Sequence, residues 1–328
     1  MSKVSTRKGQ SNTYLDILFP VPADTFVTVV VPAYLSASTI DECLKSLISQ
    51  KYPKEYLEII VIDSGYDETK HICRNYDVRY YHSTRKLSAG AARNIGARMA
   101  KGQILAFLDA DCIAPEYWIY HLVRDFDAFP ETFGVLGVYA GGKSCLDKIR
   151  GGELMSNEKR IGFHRGFIEG NVAFRRKVFE AGCSFGDMTY GECVKLSNDL
   201  SKRGMKTLWD PTLKVLHKGY LNYRKMFAMD RAYARISLME ENTSLLKGTL
   251  KLLFIMAMLI FLPIWPLIAI FLFFSLLLIC SAFSLTDNMV SFKNRIQLLP
   301  VLICMRLSRF FASATESALY LLRWRAKR

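Results

Sequence analysis

The eight cysteines, Cys43, Cys73, Cys112, Cys145, Cys183, Cys193, Cys280 and Cys304, form no C-x-x-C pair and no zinc-ligand spacing. That excludes a metal finger and a disulfide framework, and it fits a reducing compartment. The glycines of "AGAARNIG", residues 89–96, do not follow G-x-G-x-x-G, so the dinucleotide fingerprint of an oxidoreductase is missing. The first residues, "MSKVSTRKGQSN", lack the apolar centre of a signal peptide. Residues 1–25 therefore read as a basic tail, and the polar part of the chain is expected on the cytoplasmic side. A formal charge of +14 raises the question of nucleic acid, yet the basic residues surround no nucleic-acid motif. Many of them, among them Lys247, Lys251, Lys293, Arg295, Arg306, Arg309 and Arg323, flank or follow a long apolar run. The expected partner is an anionic membrane surface, with no nucleic acid.

What the chain has in plenty is apolar sequence, 51% against 23% charged. Leu250 to Phe283 is long enough to enter a bilayer, interrupted by Lys251, Pro263 and Pro266. The prolines leave either one kinked span or a hairpin, and basic residues on both flanks favour the hairpin. Residues 297–322 are apolar but contain Arg306, Arg309 and Glu316, so an interfacial amphipathic helix is expected there, the alternative being a helix packed on the preceding domain. Membrane anchor 236–328 thus follows a globular domain, 26–235.

In that domain strand and helix patterns alternate. "FVTVVVPAY", "LEIIVIDSG", "VRYYHS" and "QILAFLDAD" read as strands. Between them helices are expected at Thr39–Gln50, capped by Ser38 or Thr39, at about Asp67–Asn75 and at about Ala89–Ala100. This order predicts an α/β fold with a mostly parallel sheet and helices on both faces, binding its ligand outside the carboxyl ends of the strands. Pro32 to Tyr34, Asp63, and the pair Asp109 and Asp111 stand at three such ends. If the extended chain lasts through Ala110, the two acids point the same way. Close carboxylates repel unless they share a cation, so a divalent ion (Mn2+ or Mg2+) bridged to phosphate oxygens is the natural occupant.

The blocks "VTVVVPAY", "EIIVIDSG", "AGAARNIGARMAKGQILAFLDAD", "EGNVAFRRKVFEAG" and "GECVKLSNDLSKRGMKTLWDPTLKVLH" resemble, in order and spacing, the family 2 glycosyltransferases, inverting enzymes of GT-A fold. The resemblance covers about residues 26–235. It implies a nucleotide-sugar donor whose nucleoside meets Asp63 and the turn Pro32, Ala33, Tyr34. It implies that Asp109 and Asp111 hold ribose and metal, that Arg93 lies near the nucleotide, and that Glu169, Gly170 and Asn171 floor the sugar site. His217 falls where some relatives have a further metal or phosphate contact. No Gln-x-x-Arg-Trp block of polymerising relatives follows it, which implies single transfers.

Two departures stand out. The second strand ends Ile62, Asp63, Ser64 where two acids are common. Where the family has Gly-Glu-Asp, with the Asp as catalytic base, this chain has Gly191, Glu192, Cys193. A thiol is a poor base beside a carboxylate. Either Glu192 is the base, or the acceptor is a phosphate that needs little base assistance, or the chain only binds nucleotide or glycan at the membrane. The expected acceptor is lipid-linked or a surface glycan. A P-loop pattern, "GVYAGGKS" at Gly137–Ser144, competes for the nucleotide, but Gly151 and Gly152 end any helix too soon after it, and a glycine-rich turn after the strand "FGVLGVY" is preferred.

Overall fold

The computed structural model describes residues 24–141, 162–164, 170–188, 190–219, 223–239, 275, 303–304, 307–317 and 319. The first half follows the alternation in the sequence. Strands β1 (Val27–Ala33), β2 (Leu57–Asp63), β3 (Arg79–His82) and β4 (Ile104–Leu108) are separated by helices α1 (Ile40–Ile48), α2 (Thr69–Cys73) and α3 (Ala89–Met99). All pair in parallel, β1 with β2 and β4, and β2 with β3. Thr39 occupies the N-cap of α1 without a side-chain cap bond, whereas Ser88 caps α3 by accepting from the Ala91 N–H.

The second half holds β5 (Cys112–Ile113), α4 (Trp118–Ala128), β6 (Thr132–Ala140), β7 (Gly162–His164), β8 (Asn171–Arg175), α5 (Lys177–Glu180), α6 (Glu192–Lys202), β9 (Lys206–His217) and α7 (Tyr223–Met239). The strand order is β3-β2-β1-β4-β8-β6-β9-β5, with β7 paired to β9. Here the expectation of a mostly parallel sheet needs correcting. Strand β8 runs antiparallel to both neighbours, β4 and β6, and β5 and β7 run antiparallel to β9; β6 and β9 are parallel. Strand β8 fills a slot between two strands that precede it in the chain.

Alternate residues of β1 serve two cores, as a strand's period of two requires. Val27, Val29 and Val31 pack with Leu44 of α1 and Trp118 of α4, while Val30 packs with Ala92 and Ala97 of α3 and Leu196 of α6. Helices therefore cover both faces, as expected. The P-loop pattern fails on its first glycine. Gly137 lies inside β6, where a Cβ would come within 2.3 Å of Asn171 Nδ2; Gly142 to Ser144 lie outside the described residues.

Helix α7 crosses residue 235, the expected domain boundary, and the helical segment 307–317 packs against it. Glu316 is buried and accepts from Arg231 and Arg235, and Ser308 donates to Asp230. The charge that makes this segment unsuited to a lipid span is thus satisfied by α7, which favours the packed alternative over an interfacial helix for these residues. Among the described residues no helix is long and apolar enough to cross a membrane. The expected basic tail up to residue 23 and the apolar run Leu250–Phe283, apart from Ser275, lie outside the described residues.

Burial alone would raise the Glu316 carboxyl, but the bonds from Arg235 and Arg231 outweigh it and hold it below the ordinary glutamate range. A lowered carboxyl contributes stability that is complete above its unfolded value and is lost as pH falls through its folded one. Amide protection in 307–317, taken relative to the intrinsic exchange rate at each pH, is therefore expected to fall on acidification below the usual glutamate range, and to be low already at neutral pH in Glu316→Gln. Exchange that ignores both changes would show that the clamp does not hold the segment.

Candidate active site

The strand carrying "LAFLDADC" ends at Leu108, short of both acids, which corrects the expectation of an extended chain through Ala110. The Cys112 N–H donates to the Asp109 carbonyl at 3.0 Å and closes a turn. The two carboxylates consequently meet different partners.

Asp109 faces inward. Its Oδ1 accepts from Arg93 Nη2 at 2.6 Å and its Oδ2 from the Tyr139 hydroxyl at 2.7 Å. Arg93 is wholly buried, and its Nη1 donates to Glu192 Oε1. One guanidinium thus ties α3, the turn after β4 and the start of α6 together. Burial opposes the Arg93 charge, but Asp109 and Glu192 outweigh it and hold the group above its ordinary range. Burial and Asp109 push the Tyr139 phenol well above its usual range, so it stays a donor. Glu192 is 2% exposed, and its Oε2 is buried without a hydrogen-bond partner among the described residues.

Asp111 faces His217. Strands β5 and β9 pair Cys112 directly with His217, which brings the histidine beside the turn, and Asp111 Oδ2 lies 3.4 Å from His217 Nε2. The ring stacks on Tyr139 at 4.5 Å between centroids. The Lys218 N–H donates to the Asp111 carbonyl, and a Cβ at Gly219 would sit 2.6 Å from Asp111 Oδ2 and 2.3 Å from His217 Cε1. Only glycine lets the chain pass so close to both donors. Asp111, Cys112 and His217 each present a possible ligand atom within 4.8 Å of the others. Burial and the Asp109 charge raise the Asp111 carboxyl, and His217 eases the strain. An oxygen and a nitrogen donor at this spacing fit a hard divalent ion, which would also relieve the repulsion between the acids.

Gly170 and Asn171 reach the site through β8, whose Asn171 pairs with Leu108. Gly170 has φ +79, its carbonyl accepts from the Asp109 N–H, and a Cβ there would fall 1.9 Å from Asp109 Oδ2. Asn171 is buried and its amide is spent within the protein. Its Oδ1 accepts from Trp118 Nε1, and its Nδ2 donates to the carbonyls of Val138 and Leu213. It joins α4, β6 and β9 beneath the site. Glu169 lies outside the described residues.

Asp63 is also buried, its Oδ1 accepting from the Gly65 N–H and its Oδ2 from the Tyr80 hydroxyl. The carboxylate fixes the loop after β2. At the end of β1, Pro32 is half-buried, Ala33 buried and Tyr34 exposed, with Lys86 Nζ 4.3 Å from the centre of the Tyr34 ring. Leu35 follows at φ +52, a conformation leucine seldom takes. Nothing in the sequence singles out Tyr139, Trp118 or Tyr80. An aromatic residue in a strand reads as core, and only the fold reveals which hydroxyl or indole N–H meets a polar partner.

Comparison with known proteins bears on this geometry. Residues 28–183 match the family model described as Glycosyl transferase family 2. Over 100 residues the chain is 39% identical to Glycosyltransferase AglE of Haloferax volcanii, covering 29% of this chain and 33% of that protein. Over 199 residues it is 35% identical to Validoxylamine A glucosyltransferase of Streptomyces hygroscopicus subsp. jinggangensis, covering 58% and 43%. The chain spans less than half the length of either relative. Among solved structures, the mannosyltransferase PcManGT from Pyrobaculum calidifontis, in complex with GDP-Man and Mn2+, superposes with a TM-score of 0.59 at 20% identity, covering 89% of this chain and 90% of that one. At that identity the likeness concerns the fold.

Proposed function

We propose, because residues 28–183 match the family model Glycosyl transferase family 2, that the protein moves a sugar from a nucleotide-sugar donor to a lipid-linked or glycan acceptor at the cytoplasmic membrane face. Transfer is metal-dependent, inverting and non-processive. The observation that carries this reading is the convergence of Asp111 and His217 at 3.4 Å beside an Asp109 fixed by Arg93 and Tyr139. Asp111 and His217 would hold Mn2+ or Mg2+, and the bound ion supplies charge for the diphosphate as its bond to carbon breaks. Asp109, oriented by Arg93 and Tyr139, would meet the ribose of the donor. Glycine at position 170 leaves that carboxylate clear of a side chain that would otherwise collide with it.

Attachment to the membrane rests on the sequence. Leu250–Phe283 has the length and composition of an inserted segment, and basic residues stand on both sides of it. An anchored domain meets a lipid-linked acceptor where that acceptor resides. A second reading, a protein that binds donor without transferring, is favoured by one observation. Cys193, in the position of the family's base, is 4% exposed and belongs to an apolar cluster.

The deciding experiment is release of nucleoside diphosphate from a panel of UDP- and GDP-sugars by detergent-purified protein, with Mn2+ or Mg2+ and then with chelator. Turnover of one donor that stops on chelation is the expected result. Tight donor binding with no turnover, lipids included, would leave the binding protein as the better account.

A further inference from the structure

Transfer to a hydroxyl acceptor needs a group to take its proton, and neither residue at the head of α6 is placed to supply it. Cys193 is packed among apolar side chains. Glu192 is buried against Arg93, so using it would mean unmaking the bridge that orients Asp109. A carboxylate that is both exposed and fixed stands a few residues earlier, at Asp187.

Its loop is held from two sides. On the α3 side, Asn94 donates to the Phe185 carbonyl and accepts from the Phe185 N–H, both at 2.9 Å. The loop lies so close that a Cβ on Gly90 would come 1.9 Å from the Gly186 carbonyl oxygen. On the α6 side, the Gly186 N–H donates to the Glu192 carbonyl at 2.8 Å. The side chain is held as well. Ser88 Oγ accepts from the Ala91 N–H and donates its proton to Asp187 Oδ1 at 2.7 Å. Asp187 Oδ2 takes no hydrogen bond among the described residues.

Its location also fits. Helices that follow parallel strands begin at the carboxyl edge of the sheet, where ligands bind. Ser88 marks that end of α3, about 7.5 Å of helix rise from Arg93 and so on the same rim as Asp109. An exposed carboxylate oriented by a hydroxyl, at the edge of the sheet where the acids after β4 also stand, has the arrangement of a general base.

We infer that Asp187 is the general base of the transfer, standing in for the carboxylate that Cys193 replaces. This rests on the transferase reading above. As the acceptor oxygen attacks the anomeric carbon, the bond from that carbon to the diphosphate oxygen breaks. The electron pair leaves on the diphosphate, and the hydroxyl proton passes to Asp187 Oδ2. Water can take the acceptor's place, so donor hydrolysis reports the same step.

The test compares wild type, Asp187→Asn and Asp187→Ala in the full chain. It uses the sugar nucleotide that the wild type turns over, with Mn2+. Donor affinity by calorimetry is expected to stay within about threefold, while hydrolysis falls by about 10²–10⁴-fold. Sodium azide, a nucleophile that carries no proton, should restore turnover to Asp187→Ala and yield the glycosyl azide. Unimpaired hydrolysis in Asp187→Asn overturns the assignment. So does a parallel loss of donor binding or an absence of azide rescue, either of which would mark Asp187 as a loop support. A wild type that turns over no donor sinks the transferase reading itself.

Discussion

Asp111→Asn should lose metal-supported turnover by at least about 10³-fold while melting no earlier than the wild type. The activity half follows from the donor set. Asp111 Oδ2 and His217 Nε2 are the facing oxygen and nitrogen donors of the site, and an amide is a weak ligand for a hard cation. The stability half follows from the cost of the charge. Without a cation, Asp111 carries its carboxylate against burial and against Asp109, and both raise it. An asparagine of the same shape removes that repulsion and keeps the Lys218 N–H bond to the Asp111 carbonyl. A functional group that stabilises when deleted is a common mark of an active site. Calorimetric melting without metal, set beside metal titration of both proteins, decides the matter. A variant that melts like a core mutant would mean that Asp111 serves the fold.

Arg93→Met is expected to act in the opposite way, costing about 3–5 kcal/mol of unfolding free energy. The side chain is wholly buried and bridges two carboxylates, Asp109 and Glu192, the second of which is itself buried. Truncation leaves Glu192 in a dry environment with no countercharge on either oxygen. The penalty comes from the orphaned acid more than from the lost bonds, so Arg93→Met with Glu192→Leu should recover much of it. Urea unfolding of the two single variants and the double variant measures the coupling. Additive losses would mean that the bridge is energetically idle.

The first half of the fold was legible because its strands are uninterrupted apolar runs and its helices carry a clear period. Val27–Ala33 and Leu57–Asp63 fall inside their expected limits for that reason. The second half was not, since "NVAFR" and "TFGVLGVYA" say nothing of direction, and direction is what makes the sheet mixed. In the site, the acids after β4 were visible as residues but their divergence was not, because a turn bonded through the Asp109 carbonyl leaves no mark in composition. Asn171 was visible too, yet expected at the sugar. Its three internal partners come from segments far apart in the chain, and no local pattern announces them.

The slot filled by β8 also governs how the molecule can be assembled. During synthesis β4 and β6 emerge first, and the strand that joins them arrives only with Asn171–Arg175. Until then β4 offers a bare apolar edge, the kind that pairs with other chains. A ribosome-released fragment ending near residue 141 would keep the four parallel strands and still be adhesive and inert. It would lack Gly170 against Asp109 and His217 against Asp111. The bare β4 edge is therefore covered when β8 closes the gap, and the candidate site is completed only afterwards, when β9 brings His217 to Asp111.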